Sequence, residues 1–265
     1  MLDVIDEYYQ ICIKFCEYKE AITVLKHTRE LCELEENRDE KILLLIKFSI
    51  AYSHFHAYNE KKAEFYLKLI DEMIDKVQLS DDELFDIYNL HIVTKSYFGE
   101  IESARQYFNK ICDLRITERN FMTAMFNYTS GLIEAKKMDS AMFFMNKFKE
   151  QFEKEYKNNE SYLATFYSNL AIVYADKEDF QQALVYDEKA YDLRKRFLSI
   201  YSKDMAITYL SLAEDYLEFN RNDEAKECII KAEEICSVIF ENEDNQLYQN
   251  VLHAKYVLEN LGYVF

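Results

Sequence analysis

Two sets of polar side chains recur at one interval. Asn127, Asn169 and Ser211 are each 42 residues apart, and so are Glu134, Asp176 and Glu218. Each acid follows its partner by seven residues, two turns of a helix, so on helical segments both sets share one face. Ser130 and Glu214 fall between them, and Asn89 extends the first set to within one residue of register. A carboxamide offers two donors and an acceptor, which suits it to hold a peptide unit whatever its side chain. A row of carboxylates favours a partner carrying Lys or Arg. These recurring polar residues are the candidate functional residues of the chain.

Catalytic chemistry has little to build on. An active site needs convergent titratable groups, and the chain offers five scattered histidines and no nucleophile motif. A Rossmann turn needs three glycines within six residues and a Walker loop needs two, whereas Gly99, Gly131 and Gly262 stand far apart. No enzyme activity and no cofactor are expected. Cys12 and Cys16 lie one turn apart and could present two ligands, but no His or Cys pair with zinc spacing completes a site. They are expected to be buried, reduced packing residues, with no metal, and the His54-Phe55-His56 run is expected at a helix end or loop without a catalytic role.

A formal net charge of −17 argues against direct nucleic-acid binding, which depends on basic residues. No run of 18 apolar residues and no signal peptide is found, so no membrane association and a cytoplasmic location are expected.

The elements that must position the polar sets are helices. There is no proline, and three glycines are too few for hairpin turns, while 49% hydrophobic and 15% aromatic residues can build a large core. The chain is expected to be all-α. Short polar turns are each followed by an alanine at Ala21, Ala104, Ala141, Ala183 and Ala225, at intervals of 83, 37, 42 and 42 residues. The first interval is two units, and a weaker copy around Tyr58 to Ala63 fills it. Apolar stretches with i, i+3, i+4, i+7 spacing flank every alanine, which predicts six helical hairpins. Ser80 and Glu83 form a capping box opening the third hairpin. Asp139, Asn222 and Asp223 are expected as N-terminal caps that turn the chain without glycine. A last helix, about 245–261, is expected to cap one single domain spanning 1–265.

Two copies carry a family resemblance: Tyr167, Leu170, Ala171 and Tyr174 leading to Ala183 and Ala190, and Tyr209, Leu212, Ala213 and Tyr216 leading to Ala225 and Ala232. In order and spacing they resemble the tetratricopeptide repeat, in the 42-residue variety of the kinesin light chain. Lys61 falls where the second copy's alanine is expected. The resemblance implies a right-handed superhelical solenoid of antiparallel helix hairpins, with the first helix of each pair lining a concave groove. It also implies that Asn127 and Asn169, just before their Leu-Ala positions, hold an extended peptide, with Ser211 a shortened substitute. A related subclass clamps a chaperone's C-terminal carboxylate with cations, but this face carries acids, and only Lys47 offers a cation. The function so implied is a non-catalytic adaptor whose groove takes a basic peptide. The alternative is an intracellular receptor for a short signalling peptide, like the pheromone receptors of Gram-positive bacteria, with its output domain absent from this chain.

Overall fold

The computed structural model describes residues 2–34, 39–240 and 245–265. Among the described residues there are thirteen α-helices, one short 3-10 turn and no strand. Two units divide the chain, 1–135 and 136–265.

The first unit holds α1 (Leu2–Lys14), α2 (Tyr18–Glu33), α3 (Glu40–His56), α4 (Glu60–Asp71), α5 (Asp81–Tyr97), α6 (Ile101–Cys112) and α7 (Glu118–Glu134). Each helix packs on the next in sequence, and α5 also packs on α3 and α7. Its core, around Leu44, Ile50, Leu67, Ile70 and Ile87, joins successive pairs. The second unit holds α8 (Met138–Glu155), α9 (Glu160–Asp176), α10 (Phe180–Phe197), α11 (Lys203–Glu218), α12 (Asn222–Ile239) and α13 (Gln246–Asn260). Here too neighbours pack in order, and α13 lies on both α11 and α12, burying Tyr248, Val251, Ala254 and Leu258.

The turns between paired helices rest on a device the sequence conceals. A left-handed residue sits at each one: Cys16, Tyr58, Gly99, Lys136, Glu178 and Asn220, with φ between 55° and 72°. Only one is a glycine. At five of the six the residue after it donates its N–H to a carbonyl five residues back, as Asn59 does to His54 at 2.9 Å and Arg221 to Tyr216 at 2.9 Å, the closure that commonly ends helices. Five residues beyond each left-handed position comes a fully buried alanine: Ala21, Ala63, Ala104, Ala141, Ala183 and Ala225, none more than 1% exposed. The second repeat's alanine is therefore Ala63, and Lys61 is an exposed residue two positions earlier.

The capping expectations divide. Ser80 and Glu83 form the full box, and Asp39, Thr117, Asn159 and Ser202 also accept backbone N–H groups at the starts of α3, α7, α9 and α11. Asp139, Asn222 and Asp223 do not cap. They lie inside the first turns of α8 and α12, whose N-caps Lys137 and Arg221 make no side-chain bond. These helices begin directly after the left-handed turn, which fixes their entry without a cap.

At Gly99 nothing lies within 4 Å of an added Cβ, so an alanine there meets only backbone strain. Gly99→Ala should lower the urea midpoint of the first unit by the equivalent of about 1 kcal/mol, since a left-handed L-residue costs roughly 1–2 kcal/mol and the stiffer unfolded chain returns part of it.

Candidate functional site

The polar sets fall on first helices. Asn89 is on α5, Asn127 and Glu134 on α7, Asn169 and Asp176 on α9, and Ser211 and Glu218 on α11. The asparagines and Ser211 are half-buried, and the three acids are exposed. In the first unit the carboxamides meet: Asn127 Nδ2 donates to Asn89 Oδ1 at 2.9 Å. The left-handed residues Gly99 and Lys136 are 37 apart, so Asn89 stands one residue before the true equivalent of Asn127, which is Leu90. The two carboxamides nonetheless reach each other. Ser130 is withdrawn from any ligand by its own helix, with Oγ donating to the Phe126 carbonyl at 3.0 Å.

In the second unit Ser211, Glu214 and Glu218 lie at i, i+3 and i+7 on α11. Loss of surrounding water raises the carboxyls of Glu134 and Glu214 above their ordinary value. Apolar side chains stand among the polar ones, with Ile172 on α9 and Ile207 on α11 both exposed. The second unit thus offers first-helix strips of amide, hydroxyl, carboxylate and methyl groups, and the first unit amides and a carboxylate.

Several other residues sit elsewhere than expected. Lys47 is buried on α3, its Nζ 3.3 Å from Met73 Sδ, at the edge of a cleft of about 620 Å³ that Glu33, Glu40 and Lys76 also line. It is not an exposed groove cation. Cys12 is buried at 1% exposure, but Cys16 is exposed because the left-handed turn throws it outward. The Cys12 thiol and the carboxylates of Glu17 and Glu20 have ligand atoms within 4.8 Å of one another, an arrangement able in chemistry to hold a cation, though exposed acids commonly cluster without one. His54 and His56 end α3. Burial, helped by Lys26 and Lys62, pushes His54 down to about 4, and its ring stacks on Tyr66 while that of His56 stacks on Tyr18.

The sequence reading also missed a set of second-helix lysines. Lys110, Lys147, Lys189 and Lys231 each stand eleven residues beyond a left-handed turn. Their ammonium groups lie over aromatic rings, as Lys189 does over Tyr167 at 5.4 Å and Lys231 over Tyr209 at 5.4 Å. The recurring tyrosines signal them: an exposed ring invites a long cationic side chain to cover it.

Paired helices joined by three-residue turns and packed on the pairs beside them define a helical-repeat scaffold. Residues 162–237 match the tetratricopeptide repeat model, so this segment of the chain carries tetratricopeptide repeats. Such a fold is typically a non-catalytic binding scaffold. Among solved structures it is similar to BtubC (BKLC) from P. vanneervenii, with TM-score 0.66 and 18% identity over 86% of this chain and 94% of that one. It is similar to the apo form of RapI, with TM-score 0.63 and 15% identity over 82% and 84%. It is also similar to the tetratricopeptide-sensor STAND protein PH0952 from Pyrococcus horikoshii, with TM-score 0.64 and 16% identity over 95% of this chain and 35% of that one. At these identities the likeness is one of fold. No curated protein matches the chain in sequence. Among the described residues no helix is long and apolar enough to cross a membrane.

Proposed function

We propose that the protein is a non-catalytic cytoplasmic adaptor whose first-helix faces hold an extended peptide segment rich in Lys or Arg. Asn89 and Asn127 serve the first unit, Asn169 and Ser211 the second, and Glu134, Asp176 and Glu218 supply the charge preference. The carrying observation is the Asn127–Asn89 hydrogen bond, which shows polar side chains of successive first helices meeting side by side. The pair uses one donor and one acceptor, leaving each amide further capacity for a peptide backbone.

Selection from a random peptide library on the immobilised chain tests this reading. Recovered sequences should be enriched in Lys and Arg. For a selected peptide, Asn127→Ala or Asn169→Ala should weaken binding by about 0.5–1.5 kcal/mol, the usual net value of a hydrogen bond. The triple change Glu134→Gln, Asp176→Asn and Glu218→Gln should weaken it by about 0.2–1 kcal/mol for each pair formed. It should also flatten the loss of affinity between about 0.1 M and 1 M salt, over which the screening length falls from about 10 Å to 3 Å. Peptides without basic enrichment, or variants that bind as the wild type does, would return these residues to a solvated helix face.

A further inference from the structure

Between α10 and α11 two carboxyl groups are buried against each other. Asp187 is 7% exposed and Asp215 is 6% exposed, and the two lie within hydrogen-bonding reach. Two carboxylates cannot hydrogen-bond unless one carries a proton. Asp215 Oδ2 is fully buried and has no protein donor.

The repeat register shows how unusual one of these residues is. Nine residues beyond the left-handed turn, the other five repeats bury a large apolar side chain: Leu25, Leu67, Phe108, Met145 and Ile229. Asp187 alone breaks that column. Five residues before the turn the first repeat carries an exposed Ile11, and the next four have small or short side chains, Ser53, Thr94, Gly131 and Val173, before Asp215. The aspartate at the first position thus faces an aspartate at the second, which a packing requirement does not explain, because burying a polar pair costs stability that apolar residues of similar volume do not.

The surroundings do not neutralise the pair. Arg194 on α10 is the nearest cation in effect, but its Nη1 donates instead to Thr208 Oγ1 on α11 at 2.7 Å. The other charges acting on the pair are Glu188 on α10 and Glu214 and Glu218 on α11, all of the same sign. From α9 the groups facing α10 are the neutral Tyr167 and Tyr174, stacked on Tyr186, and Glu160, whose charge is met by Arg196 at 3.1 Å. From α12 comes the buried Cys228 thiol, pushed up to about 11, and on α13 Lys255 is held by Glu233.

We propose that Asp187 and Asp215 form a proton-operated latch between α10 and α11, closed while they share a proton and released when it is lost. Burial first, and then the Asp215 carboxyl, push Asp187 up to about 8; burial, with Glu214, Glu188 and Glu218 adding to it and the hydrogen bond from Asp187 opposing it, pushes Asp215 up to about 7, so the latch works around neutrality. Both values are raised, and the folded chain therefore binds more protons than the unfolded one from about pH 4, where ordinary carboxyls titrate, to about pH 8. The stabilisation is complete below that window and is lost as pH rises through 7 to 8. The latch stands whether or not the first-helix faces bind peptide.

Urea unfolding of the full chain at pH 6.5 and pH 8.5, with hydrogen exchange of peptides covering 180–218 corrected for intrinsic rate, reads it directly. The opening equilibrium of α10 and α11 should rise about tenfold between the two conditions, the effect of one proton released over one pH unit. The double variant Asp187→Met and Asp215→Val installs the residues that Met145 and Val173 supply in neighbouring repeats, and Asp215→Asn keeps a permanent donor. Both should abolish the pH dependence, and the double variant should exceed the wild type in stability at pH 8.5. If the wild type shows no change in this segment, or either folded variant keeps the wild-type response, the latch is overturned.

Discussion

Gly131→Ala should cost the first unit about 1–3 kcal/mol, although it places a better helix former in the middle of α7. The two effects oppose each other. Alanine gains about 1 kcal/mol over glycine in a helix interior. Against that, a Cβ at position 131 would collide with Ser96 Oγ and stand 2.6 Å from Ser96 Cβ. Rotating the serine hydroxyl relieves the first contact and leaves the second, so α5 and α7 must move apart, and overpacking of that kind typically costs about 1–3 kcal/mol beyond any local gain. The site has no slack, since Ser96 is 8% exposed with its hydroxyl buried and without a partner. Ser96→Gly in the same chain removes the opposing Cβ and should recover most of the loss, apart from its own helix-propensity cost. A urea-denaturation cycle over the two single changes and the double decides it, and additive losses would mean that the helices do not meet at this pair.

The helical class and the repeat interval were legible in the sequence because each rests on many residues at once: the absence of proline, the apolar periodicity and the buried alanines. What escaped was carried by single residues whose type does not announce their role. Tyr58, Lys136 and Glu178 hold left-handed backbone that sequence reasoning assigns to glycine or asparagine, so the turns were credited to caps at Asp139, Asn222 and Asp223 that do not form. The uneven interval of 37 residues also hid the offset at Asn89, whose meeting with Asn127 depends on side-chain reach. Asp187 and Asp215 read as two more acids among 49. Only burial and the repeat register set them apart, and neither is available before the helices are placed. The first-helix sets were found because they recur at the repeat interval, and a ligand contact made by one repeat alone would have left no such trace.

The crossing alanines give the second expected result, in the second unit. Ala183 and Ala225 are fully buried at 0% exposure, each five residues beyond a left-handed turn. A residue this small lets paired helices approach to the short end of the usual 8–10 Å range, while tyrosines and leucines fill the flanks. Adding three carbons at Ala183 or Ala225 forces apart a helix pair whose short turn cannot lengthen. Leucine is nearly as good a helix former as alanine, so propensity offers little compensation or penalty. Ala183→Leu and Ala225→Leu should each destabilise by about 1–3 kcal/mol. Gln181→Leu, on the same turn of α10 but exposed, should stay within about 0.5 kcal/mol, as surface changes usually do. Thermal melting of the three variants beside the wild type separates packing from sequence. Equal melting temperatures for Ala183→Leu and Gln181→Leu would mean that the register built on the left-handed turns misplaces the helix crossing. A loss at Ala183 without one at Ala225 would confine the close approach to the pair α9 and α10.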